Sequence, residues 1–195
     1  MFDEQVQSSR DRQREQTRAR IIDTAQRLFT EHGFQATTIR RIAETAGVSV
    51  GSVMAVGDKD SLLLIAFDRW IGDVHEKRAA AGLEPADDPV RGIGDVVQPF
   101  LELFSSNAAL AREYGAILAR GTHDTAVFGD LAVALTGEFE QVVRAAGLGD
   151  RAPAVARVLY YSYLGLLRSA SVGGLDPMIV RAGLEDVAET VLRGT

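Results

Sequence analysis

Arg40 and Arg41 follow directly on Thr38 and Ile39, and this short run holds residue types that bind phosphate. Guanidinium groups pair with phosphate oxygens, and a threonine at a helix start offers a hydroxyl beside unpaired backbone N–H groups. The same residues have plainer roles: an arginine pair on a solvated helix face, and a threonine serving only as an N-cap. Ser49, Val50 and Ser52 come next. Their short side chains can touch base edges and thymine methyl groups but cannot form the two-point pairs of arginine or asparagine. The chemistry on offer is holding a polyanion and reading it lightly, with DNA shape contributing the rest.

Bond-making chemistry finds no such support. The chain has no cysteine, which excludes disulfides, thiol catalysis and cysteine-ligated metals. His32, His75 and His123 are far apart, and no HExxH pair is present, so no metal site is expected. There is no GxSxG elbow and no phosphate-binding glycine loop. Glu138 and Glu140 lie two apart and point to different sides of a helix, so they do not form an acid–base pair. The expectation is a protein that is not an enzyme and needs no cofactor.

These residues must be positioned by helices. Of 195 residues, 46% are hydrophobic and 25% charged, ordinary globular proportions that exclude rods and wholesale disorder. The net charge of −6 argues against a protein that coats nucleic acid indiscriminately, but not against a local basic surface. Residues 8–60 carry nine Lys/Arg against seven acids, a balance of +2; residues 75–195 carry eleven against sixteen, a balance of −5. No apolar run is long enough to cross a bilayer, so a cytoplasmic protein without membrane contact is expected. Apolar residues recur at helical spacing, as in Ile21, Ile22, Ala25, Leu28 and Phe29, and nothing alternates at period two. The spacing and the glycine breaks predict an all-α fold of about nine helices: 13–31, 38–45, 49–55, 59–80, 90–106, 108–120, 125–146, 152–172 and 177–193. Leu83–Pro89, with two prolines and three acids, reads as a loop. Three regions follow: a flexible Arg-rich arm over 1–16, a small helical domain over 17–58, and a larger helical domain over 59–195. The arm's arginines, Arg10, Arg12, Arg14, Arg18 and Arg20, either belong to a disordered tail or reach into a DNA groove.

Two short helices with Ala46-Gly47-Val48-Ser49 between them have the form of a helix-turn-helix. Gly47 permits the sharp turn, and Ser49 can cap the second helix, which is slim enough for a major groove about 12 Å wide. In such a unit the first helix crosses the DNA backbone, which gives Arg40 and Arg41 their phosphates.

The run from Arg18 to Val53 resembles the N-terminal domain of TetR-family transcriptional regulators. Ile22, Ala25, Leu28 and Phe29 match the first core helix, Gly33 and Phe34 its stop, and Thr37 and Thr38 the paired threonines. Ile42-Ala43, Ala46-Gly47-Val48-Ser49, Gly51, Lys59 and Leu62 match the rest. The resemblance implies a backbone-contacting role for Lys59. It also exposes a departure: Met54 stands where a phosphate-contacting tyrosine is usual, and the turn before Lys59 is one residue short. A thioether cannot donate a hydrogen bond. The DNA-facing set is therefore Thr38, Arg40, Arg41, Ser49, Val50, Ser52, Met54 and Lys59.

For the C-terminal part the resemblance implies a divergent helical domain that dimerises and binds a small molecule. Aromatic residues gather there, and an apolar cavity with a few polar tips is what ligand sites look like. Phe104, Tyr114, Leu118, Phe128 and Tyr160 are the candidate lining. Helix 152–172 is apolar all round, so it needs cover on two sides, one of them a second subunit. Leu159, Tyr163, Leu166, Val180, Leu184, Val187 and Val191 are the expected homodimer contacts. The leading reading is a ligand-responsive DNA-binding regulator, a repressor released from double-stranded operator DNA by a mainly apolar small-molecule effector. The alternative is a helical small-molecule binder whose DNA contact is weakened or lost.

Overall fold

The computed structural model describes residues 2–82, 87–173 and 176–193, with side chains described from Arg10 onward and not for 171–173. Among the described residues there are nine α-helices and no strand: α1 Phe2–Ala36, α2 Ile39–Ala46, α3 Val50–Met54, α4 Lys59–Ala81, α5 Pro89–Ser106, α6 Ala108–Arg120, α7 Asp130–Ala145, α8 Ala152–Gly173 and α9 Pro177–Arg193. Two 3-10 turns, Ala126–Phe128 and Gly149–Arg151, precede α7 and α8. The all-α expectation holds. Part of the expected loop, residues 83–86, lies outside the described residues.

The chain forms two compact units. The first, the head, holds the residues up to Phe67 together with Ala116–His123; the second, the body, holds Asp68–Gly115 and the residues from Asp124 onward. Helices α4 and α6 each contribute to both, so the division falls neither at residue 58 nor between helices.

In the head, α1 packs on α2 and α2 on α3. Ile21, Ile22, Ala25, Leu28 and Phe29 line the buried side of α1 at helical spacing. The helix begins at Phe2, well before the expected 13, so the Arg-rich segment is helical and not a separate flexible arm. A polar segment joined to a packed helix needs only propagation, without the unfavourable nucleation of an isolated one. The helical path breaks at Gly33, where φ is 79°, a left-handed value that suits glycine.

In the body, α5 packs on α9 and α7, and α8 on α7 and α9. The core is built from Ile93, Val97, Phe100, Phe139, Leu159, Leu184 and their neighbours. Pro99 lies inside α5 and has no N–H to offer the carbonyl four residues back, on Asp95. Arg78 Nη1 donates to that carbonyl at 3.2 Å. The same guanidinium pairs with Glu138, whose other oxygen meets His75 Nδ1. This buried polar group ties α4 to α7; no sequence pattern marks it, because Glu138 lies on another helix some 60 residues from His75 and Arg78. Arg181 likewise joins α9 to α5 through Asp95 Oδ1 at 2.7 Å and Gln98 Oε1 at 3.2 Å.

Candidate nucleic-acid interface

Thr37 and Thr38 are adjacent but do opposite work. Thr37 is fully buried, and its hydroxyl proton is shared between the carbonyls of Leu28 at 3.1 Å and Gly33 at 2.8 Å. It thereby closes the end of α1. Thr38 is exposed and caps α2: its Oγ1 accepts from the Arg41 N–H at 3.1 Å. The remaining N–H groups of the first turn of α2 have no partner within the helix, and Arg40 and Arg41 stand beside them.

Helix α2 buries Ile42, Ala43 and Ala46 and stops at Gly47, where φ is 65°. The Gly47 and Val48 N–H groups return to the last carbonyls of α2. Ser49 then opens α3 by accepting from the Ser52 N–H at 3.0 Å. Val53 is buried, which fixes the rotation of α3 and turns Val50 and Met54 outward, 47% and 50% exposed. Four residues apart, they share one face. Met54 therefore stands in solvent and is not folded back against Val53 and Ile42.

The polar side chains of this surface already have neighbours. Arg40 is 84% exposed and holds Glu44 at 3.0 Å. Arg41 Nη2 lies 2.8 Å from His32 Nε2. The Ser49 and Ser52 hydroxyls are 2.9 Å apart. Exposed ion pairs of this kind are worth little, so exchange for phosphate is cheap. Lys59 is tied more firmly. Its Nζ donates to the Phe34 carbonyl at 3.0 Å and sits 4.1 Å above the Phe34 ring. It thus locks the start of α4 to the end of α1, with further N–H donors to spare, a packing role additional to the DNA-backbone contact that the resemblance implies.

Asp58 caps α4. Its Oδ1 accepts from the N–H and hydroxyl of Ser61 at 2.8 and 2.7 Å, and Oδ2 lies 3.2 Å from His123 Nε2. The Ser61 N–H holds the Asp58 carboxyl below its ordinary range.

The other expected sites fare differently. Phe104 and Tyr114 stack in the body with centroids 6.3 Å apart, and Tyr160 is buried there. Phe128 is 59% exposed on its 3-10 turn and lines no interior. Leu118 belongs to the head. Tyr163, expected at the dimer interface, is buried in the core of the body, and its hydroxyl has no hydrogen-bond partner. Burial pushes its pKa up.

Leu159, Val180 and Leu184 are likewise covered by their own chain, and Leu166, Val187 and Val191 pack against the same core. Helix α8 packs on α7 and α9 of the same chain, so Leu159, Tyr163, Val180 and Leu184 are core, while Leu166, Val187 and Val191 stay half-buried. Among the described residues, the large apolar side chains exposed on α8 and α9 are Val158, Tyr161, Met178 and Ile179.

Residues 21–55 match the family profile described as bacterial regulatory proteins, tetR family. The HTH-type transcriptional regulator HbdR of Aromatoleum sp. (strain CIB) is 36% identical over 77 residues, 39% of this chain and 33% of HbdR. The HTH-type transcriptional repressor AcnR of Corynebacterium glutamicum is 41% identical over 49 residues, 25% of this chain and 26% of AcnR. The chain thus spans about a third or less of the length of these curated relatives. A transcriptional regulator from Rhodococcus sp. Rha1 has a similar fold, with a TM-score of 0.62 over 91% of this chain and 96% of that one, at 20% identity. Residues 21–55, the segment that holds the helix-turn-helix, are thus similar to the tetR family of bacterial regulatory proteins.

Proposed function

We propose that the protein is a homodimeric transcriptional regulator, a repressor that leaves its operator when a small, mainly apolar molecule binds the body. The observation that carries this reading is α3. It is capped by Ser49, anchored by buried Val53, and presents Val50 and Met54 outward beside the arginines of α2. Thr38, Arg40, Arg41 and Lys59 hold phosphates, while Ser49, Val50, Ser52 and Met54 meet base edges and thymine methyl groups. With Leu159, Tyr163, Val180 and Leu184 buried, the dimer forms through the outer face that includes Val158, Tyr161 and Ile179. The repressor sense is supported by the AcnR relative.

Effector binding is supported by Tyr163, whose buried, unpartnered hydroxyl is a group that a ligand's polar atom would satisfy. By linkage, the effector binds free protein more tightly than DNA-bound protein. The test is to incubate the full chain with fragments of the host genome, recover the bound ones and sequence them. This reading expects enrichment of inverted repeats with half-sites about one helical turn apart. No enrichment favours the second reading, a small-molecule binder without DNA contact. The motive for that reading is that Met54 supplies no donor and the α3 serines already bond each other.

A further inference from the structure

The first core residue of α1 is Ile21, yet the helix runs from Phe2. Between Arg10 and Arg20 its residues are exposed, with only Thr17 and Ala19 half-buried. This extension contributes little to the core and carries charge in a set order. Arg10, Arg14 and Arg18 recur every four residues and so share one face. That face forms one wall of an open groove of about 690 Å³. The other wall is Ser52 from α3 with Ala55 and Val56 from the turn behind it. One acid, Glu15, lines the groove against the three arginines.

None of these three guanidinium groups has an ion pair among the described residues, whereas Arg27, Arg40, Arg120 and Arg144 each hold a carboxylate. Like charges four residues apart on a helix repel by a few tenths of a kcal/mol per pair. The extension therefore carries a repulsion that an anion would relieve. The groove shares α3 with Val50 and Met54, through Ser52, and Met54 contributes no hydrogen-bond donor to that helix's surface.

We propose that this groove seats the sugar–phosphate backbone of duplex DNA flanking the bases beneath α3, with Arg10, Arg14 and Arg18 each on a phosphate. The proposal rests on the DNA-binding reading given above. Eight residues of helix rise about 12 Å, and one DNA strand presents a phosphate about every 3.4 Å along the axis. Neighbouring arginines are thus about 6 Å apart, near two phosphate steps, and each of the three can meet its own phosphate. A guanidinium grips a phosphate at two points, and its contact carries no sequence information. The extension adds affinity and footprint length without changing which bases are read.

The experiment uses the full chain, a fluorescent duplex recovered from the genomic selection, and anisotropy titrations across a range of salt. The triple variant R10A/R14A/R18A is expected to bind about 10–100-fold more weakly. Its log K against log salt slope should be shallower by about 2–3 per protomer, at about 0.9 per phosphate. The triple Arg→Lys variant, which keeps the charges, should retain most of the slope. Trimming the duplex flanks should weaken the wild type and leave the alanine variant indifferent. Circular dichroism checks that helix content is kept. If Arg40→Ala lowers the slope while the triple alanine variant matches wild type in slope and affinity, this proposal alone falls. If the wild type binds no duplex at any salt, the DNA-binding reading falls and this proposal with it.

Discussion

The head and the body obey different rules. In the head, Thr37, Thr38, Ser49, Asp58 and Lys59 each satisfy a backbone end within a few residues or one helix away. Its geometry is set by caps and by three left-handed glycines, Gly33, Gly47 and Gly121. In the body, the decisive contacts join distant parts of the chain: Arg78 with Glu138 and the Asp95 carbonyl, Arg181 with Asp95 and Gln98. Its core also keeps the Tyr163 hydroxyl without a hydrogen-bond partner among the described residues. A surface built by local rules is fixed before any ligand arrives. An interior built by long-range contacts can differ between relatives and leave room for different guests.

Leu184→Glu should break the body outright. Leu184 is 0% exposed within one chain, so the change buries a carboxylate in an apolar core, at a cost of about 3 kcal/mol or more. Loss of a cooperative melt by circular dichroism is expected. A folded protein with unchanged midpoint would place Leu184 at a surface instead. Ile179→Glu sharpens the contrast, because Ile179 is outside the fold. Helix content should persist while sedimentation velocity shows monomer, with a dimer penalty of about 2 kcal/mol. A dimer of unaltered affinity would mean that this face is not the interface.

The head should respond to smaller changes. Gly47→Ala forces a side chain into a left-handed turn at a cost of about 1–2 kcal/mol, and DNA affinity should fall with it. Asp58→Ala removes the cap of α4, worth about 1 kcal/mol. The Asp58 carboxyl is held below its ordinary range. Its stabilisation is therefore present above the unfolded carboxylate range near pH 4 and is lost as pH falls through the lower folded value. Urea midpoints measured from pH 7 down to pH 2 should converge for wild type and Asp58→Ala at the acid end. A constant gap would mean that the charge contributes nothing.

Much of this was legible in the sequence, and the head more than the body. Thr38 and Ser49 announced α2 and α3 because capping is chemistry within three residues. The expected 38–45 and 49–55 became Ile39–Ala46 and Val50–Met54. The last helix, 177–193, was found at Pro177–Arg193, bounded by its proline. The start of α1 was missed because a polar stretch reads as disorder unless one knows that it continues a packed helix. Four residues of the expected dimer stripe, Leu159, Tyr163, Val180 and Leu184, are core within one chain, and the reason is general. Apolar periodicity says that a face is covered, and Val180 and Leu184 are covered, but it does not say by which chain. Lys59 over Phe34 and the Arg78–Glu138–His75 group depend on tertiary geometry alone.

The central claim is that the head, and not the body, touches DNA. Amide hydrogen exchange on the full chain, with and without a duplex from the genomic selection, tests it most directly. Protection is expected at the start of α2, along α3 and beside the groove at residues 10–18, while α5, α7 and α9 exchange as before. Protection centred on the body, or none in the head at a saturating concentration of duplex, would contradict the account.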